Sequence, residues 1–360
     1  MSKKEKARVK IPWMQYLCGG VLGAVFAFIV MSEAHSVLGF AVGFGSLILS
    51  FFLHIILHEG GHLVAGLASG YRFVSFRIGS IMWIKTKGRV YRKKFSIPGT
   101  GGQCLLEPPD MVCGKYPALL YNLGGGLSNL FFASVAAAAA FALGTVYAKV
   151  ILLPFALVGL YLAVSNLLPL KVGGIANDGY NIKTFRQDGD SARAFWIQMK
   201  VNKLQSDGDR LRDMPEEYFA LADSAEKGNP LIDAVKMFSF QKKIDEKDFA
   251  GARAIGEKLL AERGLLDLYK NMICVELLFL ELIAEARPEV VERLYTPVLK
   301  QYLKLVKGYP STHRLHYAYA VHYAHDDEMA QKAKMDFDRV LKGYPMPGEI
   351  QMERELMEEI

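Results

Sequence analysis

The sequence predicts a mainly α-helical chain in two parts. A polytopic membrane helical bundle of about four spans, with a small β element, is expected over 1–186, and a soluble α-helical, repeat-like domain over 187–360. Three observations predict this. Several uncharged apolar runs are long enough to cross a bilayer. Charge divides along the chain: residues 1–186 hold 18 Lys/Arg and 6 Asp/Glu, and residues 187–360 hold 25 and 31. The second part consists of amphipathic segments broken by Gly and Pro. Hydrophobic residues make up 51% of the chain, which excludes a disordered protein. Four cysteines in 360 residues exclude a disulfide-stapled secreted domain.

The first run, Ile11 to Ser32, has 22 residues and no charge. As a helix it spans about 33 Å, against about 30 Å for a bilayer core. It is too long for a signal-peptide core, and a second apolar run follows at once. That run, Ala34 to Tyr71, has Glu59 as its only carboxylate. Pro117 to Ala148 forms a third, centred on the tract Ala136–Ala140, and Val150 to Leu170 a fourth; a tight turn is expected at Lys149. Lys and Arg cluster before the first run, between the second and third, and after the fourth. Basic clusters mark the cytoplasmic side, so both termini are expected in the cytoplasm of a multi-pass cell-membrane protein. Clusters set between uncharged runs are a membrane pattern, and no nucleic-acid partner is expected. Cys18, Cys104, Cys113 and Cys274 form no Cys-x-x-Cys pair and read as inert thiols.

A carboxylate within an apolar run is costly and marks function. Glu59 sits in His58-Glu59-Gly60-Gly61-His62. On a helix, His58 and His62 project from one face and can share a Zn²⁺. Glu59 is then placed to take a proton from water that the ion activates. His54, one turn earlier, is expected to be a packed histidine, with a contact behind the ligands as the alternative. A catalytic zinc has three protein ligands. Asp178 is the only acidic residue between Asp110 and Asp188. The second and fourth runs end on the same membrane side, so Asp178 is positioned to complete the set.

With these residues in place, the sequence resembles the site-2 protease family of intramembrane zinc metalloproteases. The resemblance rests on His58-Glu59-Gly60-Gly61-His62 in one apolar run and on Asn166-x-x-Pro169 leading to Asp178-Gly179 after a later one. It covers about residues 11–186. It implies one zinc per chain, held by His58, His62 and Asp178, with Glu59 as general base. Gly124-Gly125-Gly126-Leu127-Ser128-Asn129 matches the family's Gly-rich stretch, with Gly126 where Pro is common. Asn129 and Asn166 are the implied substrate-positioning residues, while close helix packing accounts equally well for the glycines. One departure is the spacing from Pro169 to Asp178, nine residues where the family has about five; Gly173-Gly174 is expected to loop out. Phe73–Ile78 and Thr100–Leu106 read as short strands. The family implies a strand that pairs with an unwound substrate near the metal; a hairpin that only caps the bundle is the alternative.

Beyond Asp188, helices are expected over Glu216–Gly228, Pro230–Lys243, Asp248–Arg263, Leu265–Ala286, Pro288–Lys307, His313–His325 and Glu328–Leu341. Lys307-Gly308-Tyr309-Pro310 recurs as Lys342-Gly343-Tyr344-Pro345, a period of 35. This resembles the 34-residue tetratricopeptide repeat and implies a surface for a cytoplasmic protein partner. His313, His316, His322 and His325 read as surface or packing residues. The expected function is therefore that of an intramembrane zinc metalloendopeptidase. Its substrate would be a membrane-embedded protein or peptide, cut near the cytoplasmic face in regulated proteolysis or signal-peptide trimming. The alternative is a catalytically inactive membrane adaptor presenting the helical domain.

Overall fold

The computed structural model describes residues 13–33, 36–172, 175–187, 189–220 and 228–360. The chain is mainly α-helical, with a small antiparallel sheet. Its contacts define two compact units, one drawn from the chain up to His62 together with Asn122–Asn181, the other from Leu63–Tyr121 and Ile182–Ile360. The boundary at 186/187 follows composition. Contacts instead group the segment between the second and third apolar runs with the C-terminal helices.

The first unit is built on helices α1 (Trp13–Glu33), α2 (Val37–Ala68), α3 (Ala118–Leu143) and α4 (Val146–Leu167). Three of these, α2, α3 and α4, are long and apolar enough to cross a membrane. Their polarity is reversed relative to a water-soluble bundle. Phe40, Phe44, Ile48, Phe52, Phe131, Phe141 and Leu160 are exposed, whereas Ser50, His54, His62, Asn122 and Asn129 are buried. That pattern suits a hydrocarbon solvent. The first expected run forms α1, which packs along α4. Gly43 of α2 fits between them: a Cβ there would lie 2.9 Å from Val30 and 3.2 Å from Val150. Ser46 donates to the Ile151 carbonyl at 2.7 Å. The turn between α3 and α4 falls at Gly144-Thr145, not at Lys149. Gly144 takes a left-handed φ of +65°, and the Thr145 side chain caps α4 by accepting from the Ala148 amide. Lys149 instead lies in the first turn of α4 and pairs with Glu33 at 3.0 Å.

In the second unit, strands β1 (Arg72–Ile78), β2 (Ile81–Thr86), β3 (Arg89–Lys94) and β4 (Gly102–Glu107) form an antiparallel sheet ordered β3-β2-β1-β4. The two strands read from the sequence are β1 and β4, and they are neighbours. The β2–β3 hairpin is an addition. Lys87 and Gly88 both adopt positive φ, at 47° and 82°, as a two-residue hairpin turn requires. Val74, Met82, Ile84 and Leu106 are buried. Arg77 is buried too, and donates to the Gly79 and Gly102 carbonyls at 2.6 and 3.1 Å.

After α4 the chain makes a short hairpin, β5 (Lys171–Val172) with β6 (Ile175–Ala176), and enters α5 (Asp178–Gln187) and α6 (Gly189–Asp207). Helices α7 (Pro230–Asp245), α8 (Phe249–Ala261), α9 (Asp267–Ala284), α10 (Pro288–Leu294), α11 (Pro297–Leu305), α12 (Pro310–Tyr319), α13 (Asp327–Gly343) and α14 (Pro347–Met357) follow. Most expected helices appear, with three differences. Pro288–Lys307 is two helices, because Pro297 has no amide hydrogen to continue the first and Thr296 caps the second. Glu216–Tyr218 is a single 3₁₀ turn, and residues 221–227 of that expected helix lie outside the described residues. The helix from Pro310 ends in a wide π turn, Ala320–Ala324, closed by His325 at φ +52°. Phe240, Ile273, Leu278, Phe279 and Leu315 form the helical core. α14 packs on both α6 and α12, a closure that a linear stack of repeats lacks. The recurring Lys-Gly-Tyr-Pro motifs meet the sheet. Tyr309 and Tyr344 pack edge-on against Phe95 at 5.4 and 5.5 Å, and Lys93 donates to the Tyr344 carbonyl at 2.5 Å.

Candidate metal centre

Helix α2 carries His54, His58 and His62 at four-residue intervals, so all three imidazoles leave one face. That face meets α3 through glycine. A Cβ on Gly61 would lie 2.2 Å from the Gly124 carbonyl oxygen, so the two backbones touch. A Cβ on Gly125 would lie 2.5 Å from both His58 Cε1 and His62 Nε2. The Gly-rich stretch thus serves close packing, and the room it leaves is taken by the imidazoles. Ser128 ties the same two helices by donating to the Leu57 carbonyl at 2.8 Å.

Asp178 arrives from the end of α4. The residue before Pro169 is driven extended, and Leu168 is, with φ −70° and ψ 137°. The β5–β6 hairpin then absorbs the long spacing. Its base is closed where the Leu170 amide donates to Asn177 Oδ1 at 3.1 Å and the Asn177 amide to the Leu170 carbonyl at 3.1 Å. Gly173-Gly174, expected to loop out, lies outside the described residues. Asn177 also caps α5 by accepting from the Tyr180 amide at 2.8 Å, and donates to the Ser165 and Leu168 carbonyls, both at 2.7 Å. Asp178 is therefore the first residue of a helix pinned to the end of α4. Gly179 allows the contact, since a Cβ there would lie 2.2 Å from the Leu167 carbonyl oxygen.

The result is a convergence of three donor atoms. His58 Nε2 and His62 Nε2 are 3.1 Å apart, and Asp178 Oδ2 lies 3.4 and 3.3 Å from them. His58, His62 and Asp178 form the one such grouping of potential metal ligands among the described residues. The spacing suits a metal. Ligands at about 2.0–2.1 Å around a tetrahedral Zn²⁺ stand roughly 3.3 Å apart. Two imidazoles and a carboxylate are also a zinc-type donor set. The His58 and Asp178 side chains keep 15% and 19% of their exposure, so the cluster is not sealed.

Glu59 follows His58 on α2 and is half-buried. Asn129 reaches the cluster from behind: its Nδ2 is 3.4 Å from His58 Nδ1 and its Oδ1 is 3.0 Å from His54 Nδ1. Asn166 instead donates to the Leu162 carbonyl of its own helix at 2.8 Å. Sequence reasoning missed Asn177. Its signal was an Asn immediately before the Asp-Gly pair, a helix-capping position.

Fold and site together define a mainly α-helical chain with three helices able to cross a membrane and a His-His-Asp grouping close enough to hold a metal ion. No protein-family model, curated protein or solved structure matches the chain.

Proposed function

We propose that the chain is an intramembrane zinc endopeptidase. The observation that carries this is the convergence of His58, His62 and Asp178 on one point, with Glu59 on the same helical turn as His58. A zinc ion held by His58, His62 and Asp178 would supply Lewis acidity and would lower the pKa of a water at the site toward about 7. Glu59 accepts the proton of the attacking water and passes it to the leaving amine. Asp178 and the two imidazoles fix the position of the reaction within an apolar bundle, where electrostatic effects are strong.

The substrate class is a membrane-embedded protein or peptide, since exposed apolar faces surround the site-bearing helices. A helical substrate must unwind before its carbonyl is open to attack. The reading includes a fourth span, α1, and termini on the cytoplasmic side, where basic clusters are retained. The helical region from α6 onward takes a cytoplasmic protein partner or regulator. The test is hydrolysis of a defined mixture of signal-peptide-length apolar peptides by purified protein in detergent, with fragments identified by mass spectrometry. Cleavage by the wild type and none by Glu59→Gln is the expected result. Equal fragments from both would remove the protease reading.

A further inference from the structure

Three helices meet at His54. The ring is fully buried. Its Nε2 lies 3.0 Å from the Phe155 carbonyl oxygen of α4, and its Nδ1 lies 3.0 Å from the Asn129 carboxamide of α3. The other end of that carboxamide faces His58 Nδ1 at 3.4 Å. Room for the arrangement comes from Gly159, one turn after Phe155. A Cβ there would lie 2.6 Å from His54 Nε2.

The placement of protons along this line decides what His58 can do. A carbonyl oxygen only accepts, so His54 Nε2 carries a proton. With Asn129 Oδ1 toward His54, Nδ1 must donate as well. The ring is then a cation, buried among apolar helices with two neutral partners, which is costly. His58 Nδ1 accepts in that arrangement, so its proton sits on Nε2, inside the ligand cluster. Rotating the carboxamide by 180° preserves its shape and reverses each step. His54 is neutral and its bare Nδ1 accepts from Asn129 Nδ2. Asn129 Oδ1 accepts from His58 Nδ1–H. His58 Nε2 is left bare, facing His62 Nε2 and Asp178 Oδ2.

We propose that the Phe155 carbonyl, His54 and Asn129 form one proton-ordered chain that holds His58 as its Nδ1–H tautomer, with Nε2 bare as a metal ligand. The inference rests on the metal reading of the site. His54 and Asn129 are positioning residues in it, acting through His58. An oxygen that accepts from the far nitrogen of a liganded imidazole is general in metal sites. In this chain the orientation of that oxygen is set one step further back, by a carbonyl on a third helix.

The test uses the full chain, labelled with ¹⁵N-histidine, stripped of metal and held in detergent. Ring nitrogens with and without a proton differ widely in ¹⁵N shift, and the His58 signals are assigned by their loss in His58→Gln. The expected result is a proton on His58 Nδ1 in the wild type and a mixture of tautomers in His54→Phe. His54→Gln, whose amide both donates and accepts, restores the wild-type pattern. Zinc titration of the same proteins should show affinity lowered about 10–100-fold in His54→Phe and Asn129→Leu, and recovered in His54→Gln. A wild-type His58 proton on Nε2 overturns the proposal. So does unchanged zinc affinity in a folded His54→Phe. A wild type with the proton on Nδ1 that binds no zinc upholds the chain and removes the metal reading, so the two failures are distinguishable.

Discussion

On the proposed reading, replacing Glu59 and replacing Asp178 separate chemistry from ligation. On the proposed mechanism, Glu59→Gln keeps the zinc site but removes the proton acceptor. Hydrolysis should fall by about 10²–10⁴-fold while bound zinc is unchanged; zinc analysis alongside the peptide assay checks both. Gly125 gives a sharper structural test. An added methyl would lie 2.5 Å from His62 Nε2 and 2.5 Å from His58 Cε1. Gly125→Ala should therefore abolish zinc binding in a protein that still folds. Gly126→Ala, whose added methyl would meet Leu167 side-chain atoms first, at 2.6 and 2.7 Å, should be milder because a leucine can shift rotamer. Zinc titration of the two variants compares them. Similar affinity in both would mean that the glycines serve only helix packing.

At the scale of elements, α2 was legible because one property, an uncharged run interrupted by His-Glu-x-x-His, fixes both the helix and the face that carries the histidines. The strands β1 and β4 were read from the sequence as Phe73–Ile78 and Thr100–Leu106. The β2–β3 hairpin was not, because Lys85, Lys87, Arg89, Arg92, Lys93 and Lys94 made it resemble a solvated charge cluster. The start of α4 was displaced because Lys149 looked like a break, whereas Gly144 and Thr145 hold the actual turn signals. The Pro169-to-Asp178 spacing was anomalous by count and is resolved by pairing: a hairpin returns the chain to Leu170, so its length costs Asp178 nothing in reach. Asn177 holds that junction with four hydrogen bonds from its side chain. Asn177→Ala should cost about 0.5–2 kcal/mol at the α5 cap and weaken zinc binding without removing a ligand. Hydrogen exchange of the first turn of α5 measures the first effect, and zinc titration the second. Unchanged affinity would mean that Asp178 is placed without the cap.

The whole molecule places a His-His-Asp grouping close enough to hold a metal ion in an apolar helical unit and puts its described ion pairs largely in the other unit. In that second unit Arg314, fully buried, pairs with Glu276 and Glu353 at 2.8 and 2.7 Å. Nearby, burial pushes the Glu349 carboxyl up to about 7, despite the hydrogen bond that Tyr344 donates to it. Above pH 4.5 the unfolded chain releases this proton, while the folded chain keeps it until about pH 7. The folded state binds more protons across that window, so stability should fall as pH rises through it and level off above. Hydrogen exchange of α14 should show the decline, and Glu349→Gln should flatten it. Membrane orientation is open to a direct check as well. Cys113 is exposed, between the second and third apolar runs. In the proposed orientation an impermeant thiol reagent should reach it only from the cytoplasmic side. The central claim is that His58, His62 and Asp178 hold one catalytic zinc. Its most direct test is bound zinc per chain, measured on protein purified in detergent, for the wild type and Asp178→Ala. The account predicts near one zinc in the wild type and a sharp loss in the variant. A well-folded wild type without zinc, or a variant that keeps it, would contradict the claim.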